Sequence, residues 1–197
     1  MLIVGLTGRM GSGKDTVFKL LSARHAVQRI ALADPGKRAW ERDDAHKALP
    51  LPDVPNMRTL WQLSLTEDRE AAGVPGLWVD FAKWQIVTLN RRLGHDRFVV
   101  TDMRFPHEHH GFEMLALRMG WHYEAWRVER RESSRVEEMV AASAEHVSET
   151  SVDRIVADRV VPNAGTIDDL AAEVGKAWDA AEDTLAMVMA NRKRGKA

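Results

Sequence analysis

Gly8-Arg9-Met10-Gly11-Ser12-Gly13-Lys14-Asp15-Thr16 is the stretch that decides how this chain is read. It follows a short apolar run, Leu2 to Leu6, of the kind that forms a buried parallel strand. It opens a segment, Asp15 to Ala23, in which Val17, Leu20 and Leu21 recur at helical spacing. Strand, glycine-rich turn and helix, in that order, are the context a phosphate-binding loop requires. Glycines let the backbone curl until successive N–H groups face one anion, and the helix N-terminus adds the positive end of its dipole. Lys14 then supplies a mobile point charge for the outer phosphates of a polyphosphate. Gly8, Gly11, Ser12, Gly13, Lys14, Asp15 and Thr16 are therefore the candidate phosphate contacts. One position departs from the usual pattern, which has a Ser or Thr after the lysine to bind Mg²⁺ through its hydroxyl. Here Asp15 stands in that place, with Thr16 next. Its carboxylate is either a hard oxygen ligand for Mg²⁺, direct or through water, or a helix cap beside a metal-bound water.

Outward from the loop, a second apolar run, Val27 to Ala33, ends at Asp34-Pro35-Gly36, and a helix is expected through Trp40. Prolines crowd Leu49 to Pro55 and mark a loop. Arg58 to Ala72 and Trp78 to Leu93 both carry helical spacing with no strand between them, as an insert on one rim of a sheet would. Phe98-Val99-Val100-Thr101-Asp102 reads as a strand ending in an acid, followed by a helix near Glu108 to Met119. Further strands are expected at Trp121 to Val128 and near Ile155 to Val161. Thr166-Ile167-Asp168-Asp169 resembles a capping box. It opens a helix whose stripe of Leu170, Val174, Trp178, Ala181, Leu185 and Val188 serves the core or an interface, a homodimer among them. These β runs alternating with helices imply an α/β fold with a five-stranded, mostly parallel sheet and right-handed crossovers. Ligands of such sheets lie beyond the C-terminal strand ends. Gly8, Asp34, Asp102 and Arg130 all sit just past such ends and can converge on one site.

The 197 residues suffice for one domain with a sizeable core, and a net charge of −1 projects no field toward nucleic acid or a membrane surface. The basic tail Asn191 to Lys196 reads as a solvated end. The chain has no cysteine, which excludes a disulfide framework, a cysteine nucleophile and a thiolate metal site. No run approaches the roughly 18 apolar residues of a membrane span. The opening Met-Leu-Ile-Val-Gly-Leu lacks the features of a signal peptide, so a cytoplasmic location is expected. His107-Glu108-His109-His110 has no spaced partners for a metal and is expected to be a surface turn with solvated imidazoles.

On Gly11-Ser12-Gly13-Lys14-Asp15-Thr16 the chain resembles the bacteriophage-type deoxynucleoside monophosphate kinases, in which the Gly-Lys-Asp-Thr variant is typical. Further segments are similar to that family in the same order. They are Ala33-Asp34-Pro35 with Lys37, Leu63 to Arg69 followed by Trp78, Thr101 to Glu108, His146-Val147-Ser148-Glu149, and Val161 to Thr166. The resemblance implies a nucleotide-kinase fold that moves the γ-phosphate of ATP, with Mg²⁺, to a deoxynucleoside monophosphate. It implies one domain over 1–197, with core segments 1–48, 95–128 and 152–190. A helical acceptor-binding insert would span about 49–94 and an arginine-bearing lid about 129–151.

Phosphoryl transfer asks for alignment and charge neutralisation, so a crowd of cations is the expected signature. On the family plan Arg130 and Arg131 act from the lid, while Arg127 and Arg135 are either lid groups or a solvated face. Arg104 forks onto the acceptor phosphate or makes a structural ion pair with Asp102 or Glu108. Asp102 orients Mg²⁺ water, holds Arg104 or caps its strand. Asp34, Lys37 and Arg38 line the monophosphate pocket or form a capped helix start. Arg69 is the candidate for the acceptor phosphate and Trp78 for base stacking or core packing. His146 and Glu149 would close the site from the lid side, and Asn163 joins the ATP contacts. Two other readings stand beside this one: a P-loop kinase for another small acceptor, such as dephospho-coenzyme A or a sugar acid, and an ATPase or regulator without one.

Overall fold

The computed structural model describes residues 1–34, 76–130 and 151–194. Leu2–Thr7 forms β1, and every residue of it is buried, as a strand covered on both faces must be. Lys14–Arg24 is α1 and Gln28–Ile30 is β2. After the segment outside the described residues come α2, Leu77–Leu93, and β3, Arg97–Val100. Pro106–Met119 is α3, His122–Arg130 is β4, and a 3-10 turn spans Val152–Arg154. Arg159–Asn163 is β5 and Ile167–Arg194 is α4.

Among the described residues the strands form one five-stranded sheet in the order β2-β3-β1-β4-β5, with every neighbouring pair parallel. The expected mostly parallel sheet is thus wholly parallel. Alternation along the strands divides the core in two. Leu2, Val4, Leu6, Val99, Trp126, Val128 and Val161 face α1 and α4, where Val17, Leu21, Leu170, Val174, Trp178, Ala181 and Leu185 meet them. The Trp178 stripe of the sequence therefore serves the core, and its ring meets Trp126 edge-on at 6.4 Å. Ile3, Phe98, Val100 and Ala125 face the other way, onto Val79, Ala82 and Ile86 of α2 and Phe112 of α3. The helix at Leu77–Leu93, expected within the insert, thus lies on the sheet.

Two local expectations are corrected. Strand β5 starts at Arg159, not Ile155. Ile155 closes the 3-10 turn by donating its N–H to Val152, while the main chain and carboxylate of Asp158 both bind Ala125. That side-chain contact takes over the Ala125 N–H and leaves regular pairing to begin one residue later. His107-Glu108-His109-His110 is the first turn of α3 and no surface turn. Pro106 suits the first helical position, where no N–H is needed. Glu108 is buried because its carboxylate accepts the N–H groups of Arg104 (2.6 Å) and Phe105 (2.9 Å), satisfying donors a helix start leaves open. The expected capping box at Thr166 is present, with Asp169 accepting from the Thr166 N–H and hydroxyl at 2.8 Å each and returning its own N–H.

Candidate active site

The turn between β1 and α1 needs glycine at three places. Gly8, Gly11 and Gly13 have φ of 137°, 73° and 107°, a region that side chains with a Cβ avoid. At Gly8 sterics add to the dihedral, since a Cβ there would stand 2.4 Å from the Val128 carbonyl oxygen. The loop is therefore seated directly on β4. Asn163, at the end of β5, donates its carboxamide N–H to the Ser12 carbonyl at 2.8 Å, and Arg130, at the end of β4, reaches the Gly11 carbonyl at 3.4 Å. Lys14 lies back over the loop, with its ammonium 2.6 Å from the Gly8 carbonyl, 3.0 Å from that of Arg9 and 3.4 Å from the Ser12 hydroxyl. A lysine held over a curl of main-chain amides at a helix N-terminus is arranged to meet an anion.

The other half of the rim lies past β2 and β3. Asp102 directs one carboxylate oxygen at the Leu32 N–H (2.8 Å) and the other at the Ala33 N–H (3.0 Å), tying the turn after β2 to the end of β3. Asp34 follows in that turn and pairs with Arg29 at 2.8 Å. Arg104 begins the next step, its main chain held by Glu108, so of its two alternative partners Glu108 binds the backbone. Met103 between Asp102 and Arg104 is fully buried and fills the space above Gly5, where a Cβ would meet its methyl carbon at 2.3 Å. Its N–H donates to the Leu6 carbonyl. The chain that carries Asp102 and Arg104 is thereby pressed against β1 beside the loop.

Arg127 binds structure: its guanidinium donates to the carbonyl of Ile155 at 2.5 Å and reaches that of Asp153 at 3.5 Å. Arg9, within the loop, makes a 2.8 Å ion pair with Asp153. Sequence reasoning passed over both ties, because nothing local to Arg9 or Arg127 announces a partner so far along the chain. Trp78 packs partly against the α2–α3 side of the core. Lys37, Arg38, Arg69, Arg131, Arg135, His146 and Glu149 lie outside the described residues. The structure thus brings Gly8 to Thr16, Arg130 and Asn163 together at one end of the rim, and Asp34, Asp102 and Arg104 at the other.

For a divalent cation, Asp15 is exposed in the first turn of α1, with Thr16 beside it. No group of three or more His, Asp or Glu that could hold a metal ion occurs among the described residues. Mg²⁺ needs no such cage, since it keeps several waters and takes one or two carboxylates beside phosphate oxygens. The donor set fits that mode. Asp102, whose oxygens each accept an amide, suits contact through water. Among the described residues no helix is long and apolar enough to cross a membrane.

No family model matches the chain, and no curated protein matches it. Among solved structures it is similar to TT1252 from Thermus thermophilus, at 20% identity and a TM-score of 0.53, over 91% of this chain and 96% of that one. It is also similar to the dephospho-CoA kinase from Campylobacter jejuni, at 13% identity and a TM-score of 0.52, again over 91% of this chain and 96% of the other. At such identities the likeness is one of fold. This chain shares with both a five-stranded, parallel α/β fold.

Proposed function

We propose that the protein is an ATP-dependent kinase that passes the γ-phosphate to the phosphate of a deoxynucleoside monophosphate. One observation carries the reading: at the mouth of a central strand three positive-φ glycines turn the chain into α1, and Lys14 folds back over that turn. ATP lies along Gly8 to Thr16. Lys14 balances charge on the outer phosphates, and Arg130 with Arg131 add charge as the phosphoryl group leaves. Asp15 would hold Mg²⁺, with Asp102 reaching it through water, and the ion would supply charge neutralisation at the phosphates.

The acceptor lies at the β2–β3 end of the rim. Arg104 grips its phosphate, with Arg69, Lys37 and Arg38 beside it; Asp34 and Trp78 line the nucleoside side; His146 and Glu149 close over it. In-line attack by an acceptor phosphate oxygen forms the new P–O bond as the bond to ADP breaks. The deoxynucleotide choice rests on the ordered resemblance from Ala33 to Thr166. On that plan the acceptor insert comes before α2, which packs on the sheet, and the lid comes after β4, which runs to Arg130.

A coupled assay of ADP release across the four deoxynucleoside monophosphates and their ribose counterparts tests the proposal. Release in proportion to one or more added deoxynucleotides is expected. A second reading, a different small acceptor, draws on the dephospho-CoA kinase with which the fold is shared. Turnover with dephospho-coenzyme A and with none of the nucleotides decides for it. Hydrolysis indifferent to every acceptor rejects both.

A further inference from the structure

Asn163 stands behind the phosphate loop, at the end of the outermost strand. Its carboxamide N–H meets the Ser12 carbonyl at 2.8 Å. The Ser12 carbonyl and the Gly13 N–H belong to one trans peptide unit and point in opposite directions. Fixing the oxygen toward β5 therefore fixes the Gly13 N–H away from it. The same nitrogen of Asn163 lies 2.4 Å from where a Cβ of Gly13 would be, so the missing side chain of residue 13 is the room in which the amide sits. A donor and a steric slot thus coincide at one peptide. Arg130, the cross-strand partner of Asn163, reaches the preceding carbonyl, Gly11, from the same side.

We propose that Asn163 is a positioning residue for polyphosphate binding: it acts through the Ser12–Gly13 peptide and makes no contact with the nucleotide. Without it, that peptide is free to rotate, and rotation would present a carbonyl oxygen, in place of an N–H, to a bound anion. This rests on the phosphate-loop reading above but alters the role of Asn163 from ligand to strut.

The test compares wild type with Asn163→Ala and with Asn163→Leu, which keeps nearly the shape of the side chain and removes the donor without adding charge. Each protein is titrated calorimetrically, with Mg²⁺ present, against a non-hydrolysable ATP analogue and against inorganic tripolyphosphate, which has neither base nor ribose. The expected result is an equal loss for both ligands, of about tenfold, the size of one well-placed hydrogen bond. The ATP KM should rise by a similar factor with the acceptor KM unchanged, and the melting temperature should stay within about 4 °C. A loss confined to the nucleotide means Asn163 touches base or ribose and overturns the proposal, as does no loss for either ligand. A fall in melting temperature with both KM values raised alike assigns Asn163 to the fold alone and also overturns it. Wild-type protein that binds neither ligand refutes the phosphate-loop reading itself and this inference with it.

Discussion

The two halves of the sheet's C-terminal rim are built from different materials. At the β1–β4–β5 end the rim is a turn of nine consecutive residues, Gly8 to Thr16, shaped by three positive-φ glycines and held through its own main chain. At the β2–β3 end they are side chains assembled across the sequence: Asp102 holds Leu32 and Ala33, and Glu108 holds Arg104 and Phe105. A site made of backbone is specified by where glycine stands, and it reads charge and little else. One made of side chains changes with each substitution, which on the proposed reading suits the half that would tell one acceptor from another.

Four measurements would break or sharpen that contrast. The largest effect is expected from Lys14→Ala, which should lower kcat by about 100- to 1000-fold, the cost of removing one charge-stabilising donor, with an unchanged circular-dichroism melting curve. Full activity in that variant would detach the loop from the chemistry.

Next is acid. On the loop side β4 and β5 are tied by Glu124, whose carboxylate takes Arg159 at 2.6 and 2.9 Å, Trp126 at 2.9 Å and His122 at 3.1 Å. Burial pushes this carboxyl up, but those hydrogen bonds outweigh burial and hold its pKa at about 2. The folded value lies below the unfolded one. The tie therefore stabilises fully above about pH 4.5, the ordinary glutamate range, and is lost as pH falls through about 2. The shift corresponds to about 3 kcal/mol. Urea titrations should show Glu124→Gln costing about that much at pH 7 and flattening the fall in stability between pH 4.5 and 2. An acid limb identical to wild type would remove Glu124 as its source.

Third comes Arg104→Ala. It should raise the acceptor KM by about 10- to 100-fold and the ATP KM by less than about twofold, as the loss of a charge-assisted contact at one half of the rim requires. Equal increases for both substrates would erase the division. The smallest effect belongs to Asp102→Asn, which turns an amide N–H toward the amide of Leu32 or Ala33. About 1 kcal/mol of stability should go, read by urea denaturation, and an unchanged midpoint would remove Asp102 as the tie between the two strand ends.

The same contrast explains what could be read from the sequence. Strands β1 and β3 were legible because they are short, mainly apolar runs, and the loop because its glycine spacing is its structure. The start of β5 was misplaced because a side chain, Asp158, does the pairing there. Glu108 was placed in a surface turn or in an ion pair with Arg104, since the donors it satisfies are backbone groups that only the helix start leaves open. Asp102 offered three roles, and its amide partners lie some seventy residues away, beyond any local pattern. Asn163 entered only through its turn and gave no hint that Ser12 was its target.

Arg127 and Arg9 have a last consequence. Between them they pin Asp153 and Ile155 to the end of β4 and to the loop, so the chain leaves the sheet at Arg130 and re-enters it at a fixed post.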